Sequence, residues 1–289
     1  MAQLGPFTGN VNVYSAANVE QRLLALGTDV GSPARRLFNA IESRKVGPEE
    51  ERVWRGMDLV LAVSEVDAQA MGSAGATRVA LCPNGADLVH PYPPPRLRPE
   101  EPLRLLFVGS GAYRPYERGL AWFVREVIPL LQGRCAARFD VVGQPPRRPV
   151  AAPGVTYHGR VPDVTPFYHQ AHAVVVPVFE GSGTRLKVVE AVAHGRPVVS
   201  TPLGAEGLPL AAGEHYFQSD DPHDFAEALI TIGAAYRRLE DPRLRHMLEA
   251  ARAAIEPLFW PTIVKNLITL YRAQLEALEG RTTDPGPGR

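Results

Sequence analysis

Residues 173–207, AVVVPVFEGSGTRLKVVEAVAHGRPVVSTPLGAEG, restrict the fold more than any other stretch of the chain. They read as strand, glycine-bearing loop, short helix, strand and second glycine-bearing loop. The opening run is short, apolar and rich in β-branched residues, as in a strand buried on both faces of a parallel sheet. Gly181 and Gly183 let the backbone turn sharply and approach a ligand with no Cβ in the way. The helix after them carries Arg185, Lys187 and Glu190. Its free N–H groups and positive dipole end suit a phosphate, and cations placed against that dipole imply an anion that compensates them. Glu190 follows Lys187 by three residues and so shares its face; a carboxylate there can accept from two neighbouring hydroxyls such as a ribose diol. As an isolated helix pair it would be a surface ion pair and no more.

The rest of the chain supports the same architecture. After residue 103, strand-like runs (LRLLFVG, ARFDVVG, VTYHGRV, HYFQSD) alternate with helical ones (ERGLAWFVREVIPLL, DVTPFYHQA, PHDFAEALITIGAAYRRL), which predicts right-handed βαβ units around a parallel sheet. Ligands of such sheets sit at the carboxyl ends of the strands, where every glycine loop named above falls. RLRHMLEAARAAIEPL and TIVKNLITLYRAQLEAL close the chain as helices. Before residue 90 the reading is a strand and helix (VNVYSAANVEQRLLAL), a helix broken near Gly47–Pro48, a buried strand (DLVLAVS), a short helix ending at glycine, and a strand closing at an Asn84–Gly85 turn. Residues 90–102, HPYPPPRLRPEEP, hold six prolines in thirteen residues and read as a semi-stiff linker. The divisions expected are a disordered start at 1–10, a partial N-terminal domain at 11–89, the linker at 90–102, a C-terminal ligand-binding domain at 103–260, a last helix at 261–279 and a disordered tail at 280–289.

Lys plus Arg equals Asp plus Glu at 31 each among 289 residues, so bulk charge offers no nucleic-acid footprint. Cys82 and Cys135 make neither a disulfide framework nor a metal set, and His158, His169, His172 and His194 lack ligand spacing. No apolar run reaches the roughly 20 residues of a membrane span, and the first residues lack a signal peptide's basic and apolar regions. A cytoplasmic protein is expected, with peripheral contact at the inner face of the membrane left open. Gly109–Ser110–Gly111 is not a dinucleotide fingerprint, since Arg114 takes the third glycine's place, and a nicotinamide enzyme is disfavoured.

The 177–207 segment resembles the donor-binding motif of retaining, nucleotide-sugar-dependent glycosyltransferases of the GT-B fold, glycosyltransferase family 4 (group 1). The pattern P-x-x-x-G-x-G-T-R-x-K-x-x-E-A-x-A-x-G-x-P-V-V-x-T-x-x-G-x-E-G runs through it from Pro177 to Gly207. LRLLFVGSGAYRP, FDVVGQPP, YHGRVPDVTPFYHQA and Phe259–Trp260 follow in the family order. The resemblance covers about residues 103–275 well and 11–88 more loosely. It implies an α/β fold of two Rossmann-like domains, the N-terminal one partial and the C-terminal one complete, with the final helix crossing back to the N-terminal domain. It implies transfer of a sugar from a nucleotide-diphosphate donor to an acceptor with retention, by front-face departure and with no metal, the cations taking that part.

On this resemblance Arg185 and Lys187 contact the diphosphate and Glu190 the ribose. Gly181, Gly183 and Thr184 form the loop beside them, Gly109, Ser110 and Gly111 turn N–H groups to the phosphates, and Val161 holds the base through its backbone. Gly204 and Glu206 lie in a loop that approaches the donor sugar; Glu206 reads equally as a helix N-cap. Glu180 precedes Glu190 by ten residues where many relatives have eight, and is either a donor-sugar contact or a plain loop carboxylate. Two further departures are Ala17, where relatives often carry histidine, and Tyr116, where many carry asparagine after the proline. The opening strand of a full N-terminal domain is missing, which predicts self-association or a partner. The alternative is therefore a truncated or degenerate nucleotide-sugar-binding module, or a subunit that needs a partner. The acceptor (lipid carrier, cell-envelope polysaccharide or small molecule) is not legible.

Overall fold

The computed structural model describes residues 11–15, 19–21, 24, 33–91, 93, 96–181, 185–238 and 241–282. Its chain forms two compact units, one holding the residues up to Asn84 and from Pro261 onward, the other most of 85–260.

In the first unit β1 (Val13–Ser15), β2 (Leu59–Ala62) and β3 (Val79–Leu81) form a parallel sheet in that order. Helix α1 (Pro33–Arg55) precedes β2, and α2 (Glu65–Ser73) follows it. Ser64 caps α2 by accepting from Asp67 N. The expected break near Gly47–Pro48 is absent: α1 runs straight through Pro48. Gly47 has a packing reason instead, because a Cβ there would sit 2.5 Å from the Gln21 side chain. Beyond the proline the helix is anchored by buried Trp54 and by Glu50, whose carboxylate accepts from the backbone N–H groups of Glu20 and Gln21 at 2.8 and 3.0 Å. These contacts outweigh the one hydrogen bond that a proline removes.

The second unit carries a six-stranded parallel sheet. Its strands are β4 (Leu103–Val108), β5 (Ala137–Val142), β6 (Val155–Gly159), β7 (Ala173–Val176), β8 (Val198–Ser200) and β9 (Phe217–Gln218), in the spatial order β6-β5-β4-β7-β8-β9. The order reverses between β4 and β7, so a crevice is expected at their carboxyl ends. Alternation along β4 sends Leu105 and Phe107 to one face and Leu106 to the other. The first face is covered by α3 (Arg114–Trp122), α4 (Ile128–Leu131) and, further along the chain, a helix at Pro222–Arg237. Aromatic residues Phe107, Phe123, Phe139 and Phe225 fill it. Against the second face pack α5 (Thr165–Gln170) and α6 (Leu186–Ala193).

Between α3 and α4 the helix widens into a π turn at Phe123–Val127, where Ile128 N–H reaches back to Phe123 O. Pro129 follows at once and has no N–H to continue the α ladder. The later helices are α7 (Pro222–Arg237), α8 (Pro242–Ala254) and α9 (Trp260–Thr282). Each of α7 and α8 opens with an Asp-Pro pair whose aspartate, Asp221 or Asp241, accepts from two first-turn N–H groups. α9 extends through Thr282, past the expected end at 279. Its residues from Pro261 belong to the first unit, where buried Gln274 donates to Asp58 O at 3.1 Å and its side-chain oxygen accepts from Arg78. The proline-rich stretch lies with the second unit, and its Leu97 is buried in the aromatic core. No described helix is long and apolar enough to cross a membrane.

Candidate functional site

The candidate residues gather at the carboxyl ends of β4, β7 and β8, on either side of the point where the strand order reverses. The loops there are fastened to one another. The hydroxyl of Thr201, buried just after β8, donates to Val178 O and accepts from Val178 N at 3.1 Å and Gly204 N at 3.2 Å. Ser200 Oγ donates to Thr201 O at 2.9 Å. Gly204 exists for this fit, since a Cβ would fall 2.3 Å from Ser200 Oγ and 2.6 Å from Val176 O. Its role is close packing of the two loops. Thr201 then caps a short 3-10 turn, Pro202–Ala205, and Glu206 is exposed at the C-terminal end of that turn, which removes its N-cap reading.

Arg185 and Lys187 are both buried, against the solvated face that two helix-start cations suggest. Arg185 donates to Leu203 O at 2.9 Å and to Gly181 O at 3.0 Å, bracing the β7 and β8 loops. Backbone carbonyls within the chain thus satisfy part of the Arg185 guanidinium. Lys187 differs. Its Nζ lies 3.5 Å from the Tyr116 ring centroid and 5.3 Å from that of Phe107. Its stem passes over Gly109, where a Cβ would come within 3.3 Å of Lys187 Cε. Burial first, then the nearby Arg185 charge, lower its pKa to about 7, with Glu190 opposing. The Arg185 side chain, at the N-cap, does not cap α6, and in its first turn Val188 N–H bonds to Arg185 O.

The Lys187 shift has a consequence for stability. Below about pH 7 the side chain is charged in the folded and unfolded chains alike, and the burial penalty is complete. As pH rises from about 7 toward the ordinary value of 10.5, the folded chain releases this proton first, so the contribution to stability grows with pH. Thermal midpoints of the wild type and of Lys187→Met, compared from pH 6.5 to 9.5, should converge as the wild type loses its penalty. Parallel curves would show that Lys187 does not titrate there.

Glu190, on the same helix, is half-buried and accepts from the hydroxyl of fully buried Tyr168 at 3.0 Å. Burial raises its pKa, while the Tyr168 bond and Lys187 pull the other way. Tyr168 in turn stacks on His194, ring centroids 4.5 Å apart and ring planes nearly parallel at 8°. Sequence reasoning missed Tyr168; only its place in FYHQA hinted at it. Burial lowers His194 to about 4, which keeps that ring neutral at ordinary pH.

Of the β4 loop amides, Gly109 N–H donates to Val142 O at 2.9 Å and Gly111 N–H to Gln144 O at 2.7 Å. Two of the three amides expected to face phosphates are thus spent on the β5 end, leaving that of exposed Ser110. The strand ends approach so closely that a Cβ on Gly143 would lie 2.2 Å from Gly109 O. Gly181 adopts φ 101° beside Tyr113 and Pro115. Glu180 pairs with Arg118 at 2.5 Å through Oε2, and its Oε1 is buried with no hydrogen-bond partner among the described residues. Val161 lies after β6, partly buried against the second core. Gly183 and Thr184, like Ala17, lie outside the described residues.

Comparison with known proteins gives the fold a class: it is an α/β fold of the GT-B glycosyltransferase type. Among similar solved structures is sucrose-phosphate synthase from Thermosynechococcus elongatus, 20% identical, covering 92% of this chain and 68% of that one with a TM-score of 0.64. Another is Anabaena HepE in complex with UDP-glucose, 17% identical, covering 90% and 72% with a TM-score of 0.61. A third is the pneumococcal O-GlcNAc transferase GtfA in complex with UDP and GlcNAc, 14% identical, covering 80% and 48% with a TM-score of 0.55. Residues 102–234 match the family described as Glycosyl transferases group 1. No curated protein sequence matches the chain.

Proposed function

We propose that the chain binds a nucleotide-diphosphate sugar in the second unit and transfers the sugar to an acceptor hydroxyl with retention of anomeric configuration. The observation that supports this most is the convergence of Lys187, Glu190 and the first turn of α6 at the switch point between β4 and β7. In this scheme Glu190 accepts from the two ribose hydroxyls, and Tyr168 holds its carboxylate in place. The diphosphate lies at the first turn of α6 within reach of Lys187 and the Ser110 amide. When the bond from the anomeric carbon to the phosphate oxygen breaks, its electron pair goes to the diphosphate. Lys187 and the helix end then stabilise the growing charge, so no metal is needed for that step. The acceptor oxygen forms the new bond on the face the diphosphate leaves, and its proton passes to the departing phosphate oxygen. Glu180, next to Gly181, is assigned to a donor-sugar hydroxyl in this scheme.

HepE and GtfA are described as complexes with UDP-glucose and with UDP, so UDP heads a calorimetric panel that also includes GDP, ADP and TDP. The wild type should bind one ribonucleoside diphosphate selectively and prefer it to its 2′-deoxy analogue. Glu190→Ala should bind it roughly ten- to a hundredfold more weakly, the loss of a charged hydrogen bond, and should erase the preference for ribose. Unchanged affinity in that variant would sink the ribose assignment. No binding of any of the four by the folded wild type would favour a module that has lost its ligand or awaits a partner.

A further inference from the structure

The ammonium of Lys187 is held in an unusual way. Among the described residues it makes neither an ion pair nor a hydrogen bond; its close neighbours are ring faces. A buried ammonium without a partner is expensive, and an aromatic face is the one apolar surface that attracts it. Tyr116 supplies that face at 3.5 Å, and its own ring is pinned on two sides. Phe107 meets it edge-on at 5.6 Å and 75°, and Tyr113 at 5.0 Å and 83°. The backbone holds the ring as well: Tyr116 N–H donates to Tyr113 O at 2.9 Å in the first turn of α3. Gly109 leaves the gap through which the lysine stem passes.

We infer that Tyr116 is a positioning residue: its ring carries the Lys187 ammonium from below and, offering it a face and not a lone-pair acceptor, leaves the N–H donors turned away from the ring for the phosphates of a nucleoside diphosphate. The inference rests on the donor-site reading above. It separates Tyr116 from an acceptor-bearing side chain such as asparagine at the same place, which would occupy one of those donors. The charged and titratable groups facing Lys187 are Arg185 and Glu190 from its own segment and the Tyr116 phenol, itself raised by burial and so neutral at ordinary pH.

The test compares Tyr116→Phe, which keeps the ring face, with Tyr116→Leu, which keeps only apolar bulk; Tyr116→Met replaces the latter if it does not fold. UDP, inorganic pyrophosphate and uridine are titrated into each full-length chain by calorimetry. The Lys187 titration is followed in the ligand-free proteins by NMR of its Cε–H signals. Tyr116→Phe should bind UDP within about twofold of the wild type, and Tyr116→Leu about tenfold more weakly, with pyrophosphate following UDP and uridine unmoved. Lys187 should titrate at lower pH in the leucine variant than in the phenylalanine one, because the face that favours the ammonium is gone. Equal UDP affinities for the two variants overturn the inference. If the wild type binds no nucleoside diphosphate, the donor-site reading falls instead; the Lys187 titration then decides alone, and identical curves in both variants overturn the role given to Tyr116.

Discussion

The Arg185→Ala, Lys187→Ala double variant is expected to bind a nucleoside diphosphate at least about a hundredfold more weakly than the wild type. Loss of the charge-assisted Lys187 contact, roughly 1.5–3 kcal/mol, together with loosening of the loops that Arg185 braces sets that scale. Its affinity for the parent nucleoside should change by less than about threefold, because neither cation is assigned to the ribose or base. Lys187→Ala alone must accompany it. Arg185 braces Leu203 O and Gly181 O, so its removal also loosens the loops that frame the site. Among the described residues Lys187 makes no such bonds; what its removal leaves behind includes the faces of Tyr116 and Phe107. Titration of diphosphate and nucleoside into both variants separates the effects. Equal losses for the two ligands would mean that the cations hold the loops and do not read the diphosphate.

Gly119→Ala should be among the most destabilising single changes in the second unit. Gly119 is buried in α3 where the helix rests on the loop after β7, and a Cβ would fall 1.6 Å from Pro177 O and 2.8 Å from Pro177 C. Both atoms are backbone, so neither can swing aside; helix or loop must shift, at about 3 kcal/mol. The thermal midpoint should fall by roughly 6–12 °C. Because Pro177 leads into Glu180 and Gly181, ligand affinity should drop too. Gly72→Ala in α2 is the matching control: nothing lies within 4 Å of its added Cβ, so it should stabilise by about 0.4–1 kcal/mol. A folded Gly119→Ala with an unchanged midpoint would contradict the close packing of α3 on Pro177.

Strand placement was legible because buried parallel strands are apolar along their whole length: LRLLFV and AVVV announce β4 and β7 with little room for error. The glycine loops were legible as loops, but not what their amides do. Gly109 and Gly111 look like a phosphate cradle in one dimension, and only pairing with Val142 and Gln144 shows the N–H groups already engaged. The Gly47–Pro48 pair misled for a related reason. Helix propensity is local, whereas what holds α1 together lies thirty residues back, at Glu20 and Gln21. The site's finer electrostatics needed three dimensions throughout. Glu190 meets Tyr168 across 22 positions of sequence, and Lys187 meets Tyr116 from a different helix altogether. No periodicity within one element encodes such contacts.

The split of the first unit between the residues up to Asn84 and those from Pro261 bears on the order in which the protein can mature. A ribosome delivers the three short strands first, but Gln274, whose side chain joins Asp58 to Arg78, emerges more than 180 residues later. The intervening unit can complete its six-stranded sheet while the earlier strands still lack their closing helix. During translation these strands are therefore delivered before the second unit but closed only after it.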